Sequence, residues 1–204
     1  MIKQLAQTAG AVVFIAVFLV GAALIGPARA ADLSQAVVLV ASQNLDGSPL
    51  AQTVVVAAPL PDGGHIGFIV NRPTTVKLET LFPDQEATRN VKEPVYLGGP
   101  ALAGSVFVLM RRAPEGASVI PVMPGVVAVF DKETIDQVIE TTPNAGRYFV
   151  GMMLWDADEL EQQIAGRAWD VRHADINNVL PARAPGLWNS LRQPMVRADD
   201  AEEV

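Results

Sequence analysis

Three β-branched runs of strand length follow one another early in the chain, joined by connections that allow only reversals. They are "QAVVLVAS" (Gln35 to Ser42), "AQTVVVAA" (Ala51 to Ala58) and Ile66 to Val70, separated by the turn-forming "NLDGSP" and "PLPDGGH". Parallel neighbours need crossovers of about a dozen residues or more, so this block reads as an antiparallel meander. "PVYL", "SVFVLMRR", "GVVAVF" (Gly125 to Phe130), "RYFVGMMLW" (Arg147 to Trp155) and Trp169 to Val171 read as further strands. Helices are fewer. Leu78, Leu81 and Phe82 mark a short one stopped by Pro83, and "DKETIDQVIETT" is capped by Asp131 with Ile135, Val138 and Ile139 on one face. "DADELEQQIAG" takes Asp156 as cap, Glu159 in a capping box and Gly166 as its end, and "GLWNSL" forms a terminal helical turn. "DQEATRNVKE" reads as a polar loop. Strands in runs with few helices make the class α+β, around a mainly antiparallel, curled sheet.

The chain opens with Lys3, an unbroken apolar run from Ala9 to Ile25, Pro27 and an Ala28-x-Ala30 site. This basic start, apolar middle and small-residue cleavage site are the layout of a secretory signal peptide over residues 1–30. The alternative is an uncleaved anchor, since the run reaches the lower end of the roughly 17–25 residues that span a bilayer. Either way the following domain, 31–197, is delivered outward: to the periplasm if residues 1–30 are removed, or held at the inner membrane facing the periplasm if they are not. The last residues, 198–204, form an acidic tail expected to be disordered.

The 204 residues contain no cysteine, which removes disulfides, thiol catalysis and thiolate metal sites. Without residues 1–30 the chain carries 13 basic against 22 acidic side chains, a net charge of −9. Such a domain is repelled by phosphate backbones, so no nucleic-acid partner is expected.

Candidate chemistry is sparse. His65 and His173 lack metal-ligand spacing, and each reads as a surface histidine. No serine sits in a nucleophile elbow. Asp156, Asp158, Glu159 and Glu161 are the acids a helix start favours with no ligand at all. Gly98-Gly99-Pro100 lacks the Lys-Ser/Thr of a nucleotide loop and reads as a tight turn between strands. No cofactor is implied. There remains "GFIVNRP", Gly67 to Pro73. Pro73 ends strand pairing, Asn71 suits turn geometry, and the five-donor fork of Arg72 suits a carboxylate or buried carbonyls within the protein, or an anionic ligand.

"GFIVNRP", "VYLGGPALAGSVFVL" (Val95 to Leu109), "PGV" (Pro124 to Val126), "RYFVGMMLWDADELEQQIAGRAWDV" (Arg147 to Val171) and a terminal "LW" (Leu187, Trp188) together resemble the YqgE/AlgH family in order and spacing. The resemblance covers Val37 to Leu191. It implies a bifurcated sheet curled into a pseudo-barrel and flanked by a few short helices. Family members have been named as regulators of transcription, though their biochemical activity is not established. This chain departs from the pattern in its export signal and in Gly151-Met152-Met153-Leu154-Trp155, where the family usually has G-Y-x-G-W.

The reading that follows is a non-catalytic binding or regulatory module, not an enzyme, acting outside the inner membrane on a small anionic ligand or a protein partner. Its expected cleft is edged by Asn71, Arg72, Gly98, Gly99, Pro100 and Trp155, with Arg72 holding the anion and Trp155 as a packing wall. The alternatives are an enzyme using Asp156 or Glu159 with Arg147, a transcriptional regulator, and an interaction module pairing through strand edges.

Overall fold

A strand whose residues are apolar at every position must be covered on both faces, and the first strands are. β1 (Val37–Ala41), β2 (Val54–Pro59) and β3 (His65–Ile69) form the expected meander, running antiparallel from Val37↔Ala57 and from Val55↔Ile69. The computed structural model describes residues 32–180 and 184–192, so the expected leader (1–30) and acidic tail (198–204) lie outside the described residues. Among the described residues no helix is long and apolar enough to cross a membrane.

The next strands are β4 (Tyr96–Leu97), β5 (Ala101–Met110), β6 (Val119–Met123), β7 (Val126–Val129), β8 (Gly146–Trp155) and β9 (Trp169–His173). All nine join one sheet in the order β6-β7-β5-β8-β3-β2-β1-β9, with β4 attached to β8. Every pairing is antiparallel except β4 with β8. The sheet curls into a half-barrel. Its concave side holds one cluster, including Val38, Val56, Phe68, Phe107, Phe149 and Leu187. The other face is covered in two places. Leu160 of α3 (Glu159–Ala165) joins Leu39, Val55, Trp155 and Trp169, while Ile135, Val138 and Ile139 of α2 (Lys132–Thr141) join Val108 and Tyr148.

β8 is the fork of this sheet. On one edge it pairs with β5, from Gly146↔Met110 to Val150↔Val106 and again at Met152↔Ala101. On the other edge it pairs first with β4 at Phe149 and Val150, then with β3 from Met153 to Trp155. The link between β4 and β5 must therefore pass across β8. Gly98 and Gly99 make that crossing directly over Gly151, whose φ of +68° puts a bulge in the strand. Gly98 N–H donates to the Val150 carbonyl at 2.8 Å, and the Gly98 carbonyl accepts from Ile69 N–H at 2.9 Å, so this residue is wedged where β3 and β8 part. A Cβ on Gly98 would lie 2.1 Å from the Gly151 carbonyl oxygen, and one on Gly151 2.2 Å from that of Gly99. The expected tight turn at Gly98–Pro100 is thus a backbone-on-backbone crossing.

Other expectations are corrected too. Glu86–Asn90, expected as polar loop, is a 3-10 helix that buries Thr88. β6 and the short α4 (Ile176–Val179) were not expected from the pattern. Gly166 ends α3 as expected, with φ −72°, and the left-handed residue is the next one, Arg167, at +57°. His65 is not a surface histidine: it is 8% exposed, and its Nε2 lies 3.1 Å from the Leu33 carbonyl oxygen. His173 is exposed, as expected. One-turn α1 (Leu78–Leu81) buries Leu78 but leaves Leu81 exposed.

Two predictions follow from the crossing and the core. Gly151→Ala forces backbone against backbone and should lower stability by roughly 3–5 kcal/mol. Gly104→Ala, whose Cβ meets nothing within 4 Å, should leave it unchanged; chemical denaturation compares the two. Both tyrosines of the chain resist ionisation. Burial pushes the Tyr148 phenol up to about 12 and also raises Tyr96. Above pH 10 the unfolded chain loses phenolic protons that the folded chain keeps, so stability falls as pH rises from about 10 toward 12. Absorbance near the tyrosinate band should rise at higher pH in the native protein than in denaturant.

Candidate functional site

β3 ends in a clip. With pairing lost after Val70, the Asn71 side chain supplies the next rung: its Oδ1 accepts from Val54 N–H at 2.8 Å and its Nδ2 donates to the Gln52 carbonyl at 2.9 Å. Arg72 extends the same function. Its Nη1 donates to the Pro49 carbonyl and its Nη2 to that of Ala51, at 2.5 and 2.6 Å, while its own carbonyl accepts from Leu97 N–H at 3.0 Å. Pro73 bridges to Tyr96. The side chains of this motif hold the link between β1 and β2, and its backbone holds β4.

The clip leaves a charge uncompensated. Carbonyl oxygens accept from the guanidinium but carry no formal charge. The ion pairs among the described residues are Lys77–Glu79, Arg89–Glu86, Lys132–Asp136 and Arg147–Glu93, and none includes Arg72. Burial pulls the Arg72 guanidinium below its usual value, in the direction that an arriving anion would reverse. A cavity of about 240 Å³ opens beside it, between Gln52, Asn71 and Arg72 on one side and Pro185, Trp188 and Asn189 on the other. The last three belong to the segment that leads into and forms α5 (Leu187–Arg192). Trp188 is fixed by donation from its Nε1 to the Ala41 carbonyl at 2.8 Å, and the Arg192 guanidinium lies 4.7 Å from its ring centre.

The six residues expected to edge one cleft are therefore divided. Asn71 and Arg72 line the cavity. Gly98 and Gly99 do not line it and are buried in the crossing, with Pro100 exposed beyond them, and Trp155 is elsewhere. Trp155 is 3% exposed and covers Gly67, whose added Cβ would meet its Cζ3 at 2.8 Å. Its Nε1 donates to Gln163 Oε1 at 3.0 Å, which also accepts from Trp169 Nε1 at 2.9 Å. Gln163 Nε2 in turn donates to Glu159, and Glu159 accepts from the Asp156 N–H at 3.1 Å. The aromatic wall of the cavity is Trp188. Its signal in the sequence was the terminal Leu-Trp pair, which marked the family resemblance but carried no sign of a site.

The carboxylate grouping is corrected as well. Asp156 and Glu159 follow the end of β8, whereas Arg147 lies at its start, eight residues of strand away or about 26 Å. Arg147 is 7% exposed, donates to both oxygens of Glu93 at 2.8 and 3.3 Å, and stacks 4.6 Å from the Tyr96 ring centre. The N-cap of α3 is Asp158 in the left-handed region, φ +67°, and not Asp156. Among the described residues no group of three His, Cys, Asp or Glu could hold a metal ion.

Comparison with known proteins places this architecture. The AlgH-like family model matches residues 38–197. A UPF0301 protein of Chlorobium limicola is 29% identical over 154 residues, 74% of this chain and 81% of that protein. One of Bordetella petrii is 32% identical over 154 residues, 72% of this chain and 75% of its own length. The solution structure of the AlgH protein from Pseudomonas aeruginosa superposes with a TM-score of 0.63 at 21% identity, covering 83% of this chain and 90% of that one. A crystal structure of a protein from Corynebacterium diphtheriae gives 0.62 at 20% identity, covering 80% and 88%. These two establish the likeness of fold, and the family match over most of the length establishes the lineage: the chain belongs to the AlgH-like family.

Proposed function

We propose that this protein is a non-catalytic binding or regulatory domain, exported to the periplasm, that takes a small anionic ligand at Arg72. The observation that carries this reading is a partly buried guanidinium, unpaired with any carboxylate among the described residues, at the wall of a cavity. At about 240 Å³ the cavity is smaller than the roughly 300–1,000 Å³ of drug-sized sites, so the ligand is a compact anion such as a short carboxylate or a phosphate. Gln52 and Asn189 supply amide groups to orient it, and Trp188 offers an apolar face. The net charge of −9 over residues 31–204 and the leader sequence both weigh against the transcriptional role that family names have carried.

Thermal shift with phosphate, sulfate and short mono- and dicarboxylates tests the site. At least one should raise the midpoint of the wild-type protein and none should raise that of Arg72→Ala. That variant also loses two charge-assisted bonds to carbonyls, so its unliganded stability should drop by about 2–3 kcal/mol. If the drop appears but no anion protects the wild type, Arg72 is a structural clip and nothing more. Location is tested by the intact mass of the protein from fractionated cells. A periplasmic species beginning at Ala31 is expected, and a soluble full-length cytoplasmic species would overturn export.

A further inference from the structure

β9 ends the sheet. β1 holds one of its edges, and among the described residues no strand lies against the other. The bond from Ser42 N–H to the Ala168 carbonyl, 3.0 Å, fixes which backbone groups face which way. Hydrogen-bonded and non-hydrogen-bonded partners alternate along an antiparallel pair. Because Ser42 and Ala168 are bonded, so are Val40 with Asp170 and Val38 with Arg172, which turns the N–H and C=O groups of Trp169, Val171 and His173 toward the open edge. There the Val171 carbonyl accepts from Arg172 Nη1 at 3.2 Å, while Nε of the same side chain donates to the Leu191 carbonyl of α5 at 3.3 Å; an incoming strand takes the place of the first of these bonds.

The sequence of this edge, Trp169-Asp170-Val171-Arg172-His173, is complementary to itself when reversed. We propose that β9 pairs antiparallel with β9 of a second copy of this chain, about a two-fold axis at Val171. In that register Val171 meets Val171 as a hydrogen-bonded pair, Trp169 meets His173, and each Asp170 faces an Arg172. The charged pair falls at the non-hydrogen-bonded positions, where Cα atoms come within about 4.5 Å and side chains are closest. Neighbouring registers of the same parity are penalised, because one sets Asp170 against Asp170 and the other Arg172 against Arg172. Charges on an edge strand ordinarily deter pairing. Here they deter every strand that lacks the opposite pattern, and a second copy carries it. Asp170 and His173 are exposed and Val171 and Arg172 half-buried, so the edge is open to an incoming strand. Two-fold closure then extends the sheet through both copies.

Sedimentation velocity of the full chain over a wide concentration range reads the association. The wild type should show a concentration-dependent dimer. Arg172→Asp sets like charges opposite each other twice and should weaken the dimer about tenfold or more. Combining it with Asp170→Arg restores opposite charges in the same register and should restore the dimer, which separates lost pairing from lost folding. Val171→Pro removes an N–H that the single copy does not use, so it should stay folded by circular dichroism and fail to dimerise. A wild type that stays monomeric at every concentration overturns the proposal. So does a dimer that survives both Arg172→Asp and Val171→Pro, because such a dimer forms elsewhere on the chain.

Discussion

The crossing of Gly98 and Gly99 over Gly151 is the constraint on which the rest of the sheet depends. A strand has two edges, and β8 must serve three neighbours that converge on it from both sides. β4 and β5 are successive strands placed on opposite edges of β8, a topology possible only where one backbone passes over another without side chains between them. Three glycines meet that requirement at approaches of 2.1–2.4 Å for any added Cβ. Because β4 occupies the edge of β8 only as far as Val150 and β3 takes over at Met153, the sheet splits there. Its two halves then turn toward each other and enclose the aromatic group of Phe68, Phe107, Phe130 and Phe149, with ring centres 5.1–6.2 Å apart.

The fork also explains why the Asn71–Pro73 clip stands where it does. β3 leaves β8 on the side where β4 arrives, so the chain after Ile69 has neighbours on two sides that no regular ladder can satisfy. Asn71 bonds both Val54 and Gln52, Arg72 bonds Pro49, Ala51 and, through its backbone, Leu97. A guanidinium reaches two carbonyls at once because its fork is planar and rigid. The same rigidity that makes it a clip holds its charge at the cavity wall, so structural and binding roles share one residue.

How much of this the sequence discloses depends on whether a feature is local. The meander, α2 with its Asp131 cap, and the strand from Gly146 to Trp155 are written in periodicity and caps, and all are present. β6 is hidden because Pro121 and Pro124 break the run "SVIPVMPG" that contains it. His65 reads as a turn residue because Leu33, whose carbonyl it meets, lies 32 positions away. The crossing is the extreme case: Gly98-Gly99 resembles any turn until Gly151 is placed beneath it. At the site, Asn71 and Arg72 are legible from a strand that stops at a proline. Trp155 misleads because it belongs to the segment that carries the family resemblance, when its indole N–H is committed to Gln163.

A curled sheet that does not close must dispose of two edges, and the two are treated differently. β6 carries Pro121, which has no N–H to offer an incoming strand, and the curl brings β6 back toward β2, with Val122 buried in the shared core. That edge is blocked and covered. β9 has no proline and no covering strand among the described residues; what guards it there is an alternation of one acid and one base about Val171, with Arg172 Nη1 on the outward Val171 carbonyl. Guarding by a single sign would repel every copy of the chain, whereas guarding by both signs in palindromic order repels strangers and admits the chain itself. The difference between the two edges is thus a difference in what each can pair with. It follows from the order of three residues and not from the hydrophobicity of either strand.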